Sequence, residues 1–199
     1  MLDKIVVFAS NLGCGKTTLA NKLYNELVNK CLPCYKISFA TILKQMLGDL
    51  LKADFINNDG LKNESVVFKD EAISCRSLLQ NLGDIVRSVD KDYFVKQVCY
   101  SLRHYKKGVA IIDDLRFYNE LNPLVSFTKR LYIVTIDSPY GNNDSIAELK
   151  HASENYNELK RLIKQFQLKH DSVAWLGLGS FVNRDTEADK DLLLDFIGL

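Results

Sequence analysis

The sequence predicts an α/β fold of three layers, a parallel sheet with helices on both faces. Two observations carry that prediction. Apolar, β-prone runs alternate with stretches of helical period through most of the 199 residues, and the connections between them are short, as stacked β-α-β units require. The first such run, Ile5 to Ala9, is apolar at every position, which suits a strand buried on both faces. A chain of this length supports one sizeable core, so a single domain over 1–199 with small excursions is expected.

After Ala9 the chain reads Ser10-Asn11-Leu12-Gly13-Cys14-Gly15-Lys16-Thr17, and Thr18-Leu19-Ala20 opens a helical period. A strand, a glycine-bearing loop ending in Gly-Lys-Thr and a helix make a phosphate-binding P-loop. Successive backbone N–H groups curl round an anion at a helix N-terminus, where the dipole also favours negative charge. Gly13, Cys14, Gly15, Lys16, Thr17 and Thr18 are the expected phosphate contacts, with Lys16 reaching the β- and γ-phosphates and the Thr17 hydroxyl ligating Mg²⁺. The pattern asks for glycine at position 10, where this chain has Ser10; serine resists positive φ, so a strained opening turn is expected. Cys14 reads as a small loop residue, since phosphoryl transfer needs no thiol.

Composition narrows the function classes. The net charge is +1, with no basic tail or like-charge block, so a nucleic-acid partner has no electrostatic support. No apolar run reaches the roughly 20 residues that span a bilayer, so no membrane partner is expected. The N-terminus enters a strand at once, without a basic leader, and a cytoplasmic protein is expected. Five cysteines, an odd number, argue against a disulfide framework. Cys31-Leu-Pro-Cys34 is a CxxC, but it falls at the end of the first helix rather than at a helix N-terminus, which favours a structural role.

Along the chain, Thr17 to Lys30 places Leu19, Ala20, Leu23, Tyr24 and Leu27 on one helical face, and Pro33 stops the helix. Tyr35 to Ala40 reads as a strand and Thr41 to Leu51 as a helix, mildly weakened by Gly48. Asp54 to Asp70 is irregular and reads as an excursion off the core. Helices are expected over about Glu71–Val86, Asp90–Tyr105, Tyr118–Phe127 and Ser145–Lys169, the last burying Leu149, Leu159, Leu162 and Phe166. Strands are expected at Val109–Asp114, Arg130–Ile136 and near Phe181-Val182, with a closing helix over Asp189–Ile197. Ala110-Ile-Ile-Asp113-Asp114 is what a P-loop fold places beside its first strand, so that a carboxylate faces Thr17 and the metal.

Four further segments give the chain its family resemblance: Ser38-Phe39-Ala40 with Leu43-Lys44, Arg76 to Arg87 (RSLLQNLGDIVR) followed by Asp90, Asp92 and Phe94, Asp114-Leu-Arg116-Phe117-Tyr-Asn119-Glu120, and His151-Ala-Ser153-Glu154. With the P-loop, these stand in the order seen in the deoxynucleoside monophosphate kinases of bacteriophages and related viral enzymes, which the chain resembles over positions 5 to 154. It departs from their pattern at Ser10, Asp84, Phe94 and Asp113.

The resemblance implies ATP-dependent, Mg²⁺-dependent phosphoryl transfer to a nucleoside monophosphate, in the host cytoplasm if the chain is viral, with a homodimer left open. It implies an acceptor-binding excursion at about 45–95 and a lid-like segment at about 138–170. Lys16, Asp114 and Arg116 are the implied catalytic residues, Thr17 and Asp114 the metal side, and Arg76, Gln80, Arg87, Phe94 and Arg116 the acceptor site. The chemistry agrees with those residue types, because a guanidinium fork matches a phosphate bidentately. Phe94 is open between stacking on a base and serving as core. Asp90 and Asp92 read as helix caps. His151 and Glu154 lack the further ligands of a metal site. A lid normally supplies arginines, and Arg161 is the only one there, with Lys150, Lys160 and Lys164 as lesser options.

Three other readings share parts of this pattern. A phosphomevalonate kinase-like enzyme would keep the P-loop and Asp114-x-Arg116, and a degenerate nucleotide-binding protein would keep only the P-loop. A GTPase-type switch needs an Asn-Lys-x-Asp base reader, which Asn183-Arg184-Asp185 does not supply.

Overall fold

The computed structural model describes residues 1–11, 14–68, 71–137, 155–178 and 186–199. In chain order its elements are β1 (Leu2–Ser10), α1 (Lys16–Asn29), β2 (Cys34–Ile37), α2 (Thr41–Leu51), β3 (Ser65–Phe68), β4 (Glu71–Ser74), α3 (Cys75–Val89), α4 (Tyr93–Leu102), β5 (Val109–Ile112), α5 (Leu121–Val125), β6 (Thr128–Ile136), α6 (Tyr156–Gln167), β7 (Val173–Leu178) and α7 (Thr186–Ile197), with 3-10 turns at Asp59–Asn63 and Tyr118–Glu120. The chain divides into two compact units, Met1–Ser38 with Cys99–Leu199, and Phe39–Val98.

In the larger unit every strand pair is parallel, and the order across the sheet is β2-β5-β1-β6-β7. β1 is central and fully buried from Ile5 to Ala9, as its unbroken apolar run predicts. The alternation of the strand sends Val6 and Phe8 to one face, where they join Leu19, Leu23 and Leu27 of α1 and Leu193 and Ile197 of α7. On the opposite face α6 packs on β1 and β7. This is the three-layer P-loop sandwich that the sequence predicts. The chain runs from β1 to one side for β2 and β5 and to the other for β6 and β7, so the topological switch point falls at the C-terminal end of β1.

α1 closes on a left-handed residue. Cys31 has φ 55, its N–H donates to the Val28 carbonyl at 2.9 Å, and the Leu32 N–H donates to the Leu27 carbonyl at 2.9 Å. That pair of bonds satisfies two orphan carbonyls before Pro33. Cys31 and Cys34 are both free thiols, at a helix C-terminus as expected. On β2, at the sheet edge, the Tyr35 ring stacks on Tyr105 with centroids 3.8 Å apart.

Several element boundaries differ from expectation. β2 ends at Ile37, because Ser38 turns its hydroxyl to Asp114 and α2 begins at Thr41. The segment expected as a single helix from Tyr118 is a 3-10 turn followed by the five residues of α5; Pro123 lacks the N–H that a longer helix would use. The last strand among the described residues is Val173–Leu178, paired in parallel with β6, while Phe181-Val182 lies outside them. The buried face of α6 is Tyr156, Leu159, Ile163 and Phe166; Leu162 is only partly covered, and Leu149 lies outside the described residues.

The smaller unit packs α2 and α3 around Leu47, Phe55 and Cys75. Its β3 and β4 form an antiparallel hairpin, Val66 facing Ile73 and Val67 facing Ala72. Glu71–Ser74 is therefore strand, where the sequence suggested helix. The helix starts only when the Ser74 hydroxyl accepts the Ser77 N–H at 3.1 Å, a side-chain N-cap. Between α3 and α4 the Asp90 carboxylate accepts from the Asp92 N–H at 3.1 Å and pairs with Lys96 of α4 at 2.7 Å. The Lys96 pairing holds the Asp90 carboxyl below its usual range.

Gly48 is more than a weak point of α2. A Cβ there would lie 2.6 Å from the carbonyl oxygen of Ala53, where the chain folds back after Lys52 in a left-handed conformation, φ 54. Gly48→Ala should therefore lower stability by about 1–3 kcal/mol, against the direction of helix propensity. Urea unfolding checks this: an unchanged midpoint would mean that the Ala53 turn yields freely.

Candidate phosphate-binding site

The site is built where β1 ends. Ser10 is the last strand residue, paired with Ile136 of β6, and its hydroxyl donates to the Asn11 carbonyl at 2.8 Å. Among the described residues only Cys31 and Lys52 combine a side chain with positive φ. The strain expected at Ser10 is thus absent, because the residue continues the strand. Leu12 and Gly13 lie outside the described residues. Cys14 is 2% exposed and belongs to the core cluster of α1 and α7, a packed small residue.

Gly15 takes the left-handed conformation, φ 80 and ψ 8, and α1 starts at the next residue. Its N-cap is a glycine, which has no side chain to cap with, and its first turn contains no acid. The first N–H groups of a helix have no intrahelical acceptor, and its N-terminus favours negative charge. Lys16 is the first helical residue and only 8% exposed, while Thr17 and Thr18 are exposed beside it.

β5 runs parallel beside β1 with Val7 opposite Ile112. The Leu115 N–H donates to the Phe8 carbonyl at 3.2 Å, so the segment after β5 follows β1 to its end. The two acids there have different partners. Asp113 is buried, and its carboxylate lies 3.5 Å from Lys36 Nζ of β2; the same ammonium donates to Asn21 of α1. Asp114 accepts a hydrogen bond from the Ser38 hydroxyl at 2.6 Å. Ser38 and Lys36 acquire these roles only through the β2–β5 pairing, 76 positions apart for the Ser38–Asp114 bond.

Arg116 follows in the same loop, and its backbone is fixed. The buried carboxylate of Glu120 accepts the Arg116 N–H at 2.9 Å and the Phe117 N–H at 3.0 Å. Sequence reading placed Glu120 within a motif but gave it no task. The signal was present as a glutamate directly before the apolar face of α5. Tyr118 then packs edge-on to Phe166 of α6, centroids 5.9 Å apart, which supports the loop from behind.

On the other side of β1, Asp137 follows β6. It accepts from Lys160 Nζ at 2.6 and 2.9 Å and from the Tyr156 hydroxyl at 3.2 Å. Burial, helped by the Asp137 charge, pushes the Tyr156 phenol far above its ordinary range, so this hydroxyl is a donor at any physiological pH. Lys160, counted as a lesser lid cation, is thereby committed to Asp137. Arg161 is paired with Glu158 of its own helix at 2.7 Å. Lys150, His151 and Glu154 lie outside the described residues.

The remaining residues expected at an acceptor site lie in the smaller unit, on α3 and α4. Arg76 donates to the Asn63 side chain at 3.1 Å. The Arg87 guanidinium lies 4.8 Å over the Phe94 ring centroid. Phe94 is 2% exposed, which makes it core and a platform for Arg87. Gln80 is partly exposed on α3. Among the described residues no group of three or more His, Cys, Asp or Glu is placed to hold a metal. No helix among them is long and apolar enough to cross a membrane.

No protein-family model matches the chain, and no curated relative does. Solved structures similar to it include the shikimate kinase of Bacteroides thetaiotaomicron (11% identity, 98% of each chain, TM-score 0.40). Cobyrinic acid a,c-diamide synthase of Mycobacterium smegmatis with an ATP analog and magnesium is another (14% identity, 97% of this chain and 82% of that one, TM-score 0.48). A third is Kti12 of Chaetomium thermophilum in complex with ADP-AlF3 (13% identity, 97% of this chain and 98% of that one, TM-score 0.44). In this chain Gly15, Lys16 and Thr17 stand at the switch point of the parallel sheet.

Lys16→Ala should leave the fold intact and weaken binding of inorganic tripolyphosphate with Mg²⁺ by about tenfold or more, the scale of one charge-assisted contact. Calorimetric titration of both proteins measures it; equal affinities would remove the phosphate role of this loop.

Proposed function

We propose that the chain transfers the γ-phosphoryl group of ATP to a phosphate oxygen of a nucleoside monophosphate, releasing ADP and the nucleoside diphosphate. The observation that carries the reading is the acid-free first turn of α1 behind left-handed Gly15, with Lys16 as its first residue. That end suits a polyphosphate better than any neutral ligand. The motif resemblance to phage and viral deoxynucleoside monophosphate kinases supports the acceptor class, and deoxyribose preference belongs to the same proposal. All five cysteines are free thiols, which suits a cytoplasmic setting.

The residues present fit a magnesium ion. The exposed Thr17 hydroxyl and the Asp114 carboxylate are hard oxygen donors of the kind it takes. When bound, Mg²⁺ neutralises charge on the β- and γ-phosphate oxygens. Lys16 and the first amides of α1 hold the donor. Ser38 fixes the Asp114 carboxylate through its hydroxyl, and Glu120 fixes the backbone that carries Arg116. Arg76 and Arg87 supply cations for the acceptor's phosphate, and the lid-like segment remains part of the proposal. The acceptor phosphate is already ionised near pH 7, so no side chain need act as a strong base. Positioning two anions in line, with cations where charge develops, accounts for the catalysis. Steady-state assays with the eight common ribo- and deoxyribonucleoside monophosphates test the acceptor class. Turnover with none of them would refute it.

Asp114, rather than Asp113, is the metal-side acid in this reading, because Asp113 is neutralised by Lys36. Asp114→Asn should abolish turnover or raise the Mg²⁺ requirement, with Asp113→Asn much milder. A magnesium titration of both variants decides, and the reverse ranking would exchange their roles.

Arg116 serves the acceptor phosphate or the transferred group. Arg116→Ala should lower kcat/KM for the monophosphate by about 10²-fold or more. Arg116→Lys, which keeps the charge but loses the fork, should still be substantially impaired. ATP affinity without acceptor should hardly change. If calorimetry shows ATP binding weakened as much as transfer is slowed, Arg116 belongs to the donor site.

A further inference from the structure

Gly83 lies inside α3, where glycine weakens a helix relative to alanine. It is buried, so it does not serve as a hinge open to solvent. The space its missing side chain leaves is occupied by an arginine. A Cβ on Gly83 would stand 2.9 Å from Arg87 Nη1 and 3.9 Å from its guanidinium carbon, while the Leu43 methyl at 3.6 Å would be in ordinary contact. The same guanidinium carbon is 4.8 Å from the centroid of Phe94, itself buried and braced edge-on by Tyr93 at 5.5 Å. Arg87 therefore folds back along its own helix, against the bare backbone of Gly83 and the π face of Phe94.

Such a seat matters for an anion-binding arginine. A long, flexible side chain loses rotamer freedom when it grips a phosphate, and one already laid in a slot loses less. We propose that Gly83 and Phe94 are positioning residues that set the Arg87 guanidinium for the phosphate of the acceptor, Gly83 by the volume it leaves and Phe94 by its ring face. The inference rests on the acceptor-site reading of Arg87 given above.

The two roles open to Gly83 predict opposite signs for one substitution. If it holds space for Arg87, Gly83→Ala improves the helix and harms binding. Its melting temperature should be unchanged or raised by up to about 4 °C. In steady-state assays with the nucleoside monophosphate panel at saturating Mg-ATP, its kcat/KM should fall about three- to tenfold, mostly through KM. Calorimetric titration of the same monophosphates without ATP should show the same loss of affinity. Phe94→Leu, which retains bulk but removes the π face, should lose about threefold.

The decisive comparison is the double variant. Gly83→Ala and Phe94→Leu should each add nothing in an Arg87→Ala background, since the group they position is gone. Wild-type acceptor kinetics in Gly83→Ala would overturn the inference. So would a loss of equal size with Arg87 already removed, or a melting temperature lowered by many degrees, either of which makes Gly83 a packing residue. An Arg87→Ala enzyme with wild-type acceptor kinetics would instead bring down the acceptor-site reading itself, and the positioning role with it.

Discussion

The first turn of α1 begins on a left-handed glycine and holds no acid, and the first N–H groups of a helix have no acceptor within the helix itself. Much of the larger unit is arranged to hold that end still. β1 delivers it from the middle of the sheet, buried through Ala9. Cys14 anchors the loop in the core of α1 and α7. The segment after β5 stays alongside β1 through the Leu115–Phe8 bond. A helix end is worth little as an anion site if it can fray or drift, because its partial charge acts only over the first turn.

Charge around that end is sorted by partner. Two adjacent aspartates would repel each other and compete for the same cations if both faced one way. They sit just past the end of β5, and each meets a different group: Lys36 answers Asp113, and the Ser38 hydroxyl donates to Asp114. Asp137 on the far side of β1 is matched by Lys160. Glu120 follows a related logic, since its buried carboxylate is stabilised by two backbone amides, and the loop bearing Arg116 gains its shape in return.

Periodicity made the larger unit legible. The apolar run of β1, the Leu19-Leu23-Leu27 stripe of α1 and the Ala110-Ile111-Ile112 run of β5 each encode burial directly, and all three are buried in the fold. The hairpin of β3 and β4 was not legible, because four-residue strands are too short to show a period and Glu71-Ala-Ile-Ser74 is compatible with a helix. β7 was not anticipated, because a short apolar run such as Val173–Leu178 cannot be told from a buried helical segment by period alone. In the site, the P-loop and the acids could be read from local spacing. Ser38, Lys36 and Gly83 could not, since their roles come from what a parallel pairing or a returning arginine brings beside them. Arginines are visible in a sequence, whereas the features that orient them are not.

β2 is an edge strand of four residues, with the stacked Tyr35 and Tyr105 rings beside a lysine on its exposed row. A parallel sheet assembled from distant segments exposes such an edge while it folds and whenever it breathes. A long, flat, apolar edge would recruit another chain. This one gives a second strand only a few residues to pair with, places an ammonium among them, and covers part of the row with an aromatic stack. The sheet is thereby protected against growth into aggregates by the same short strand whose next residue, Ser38, orients Asp114.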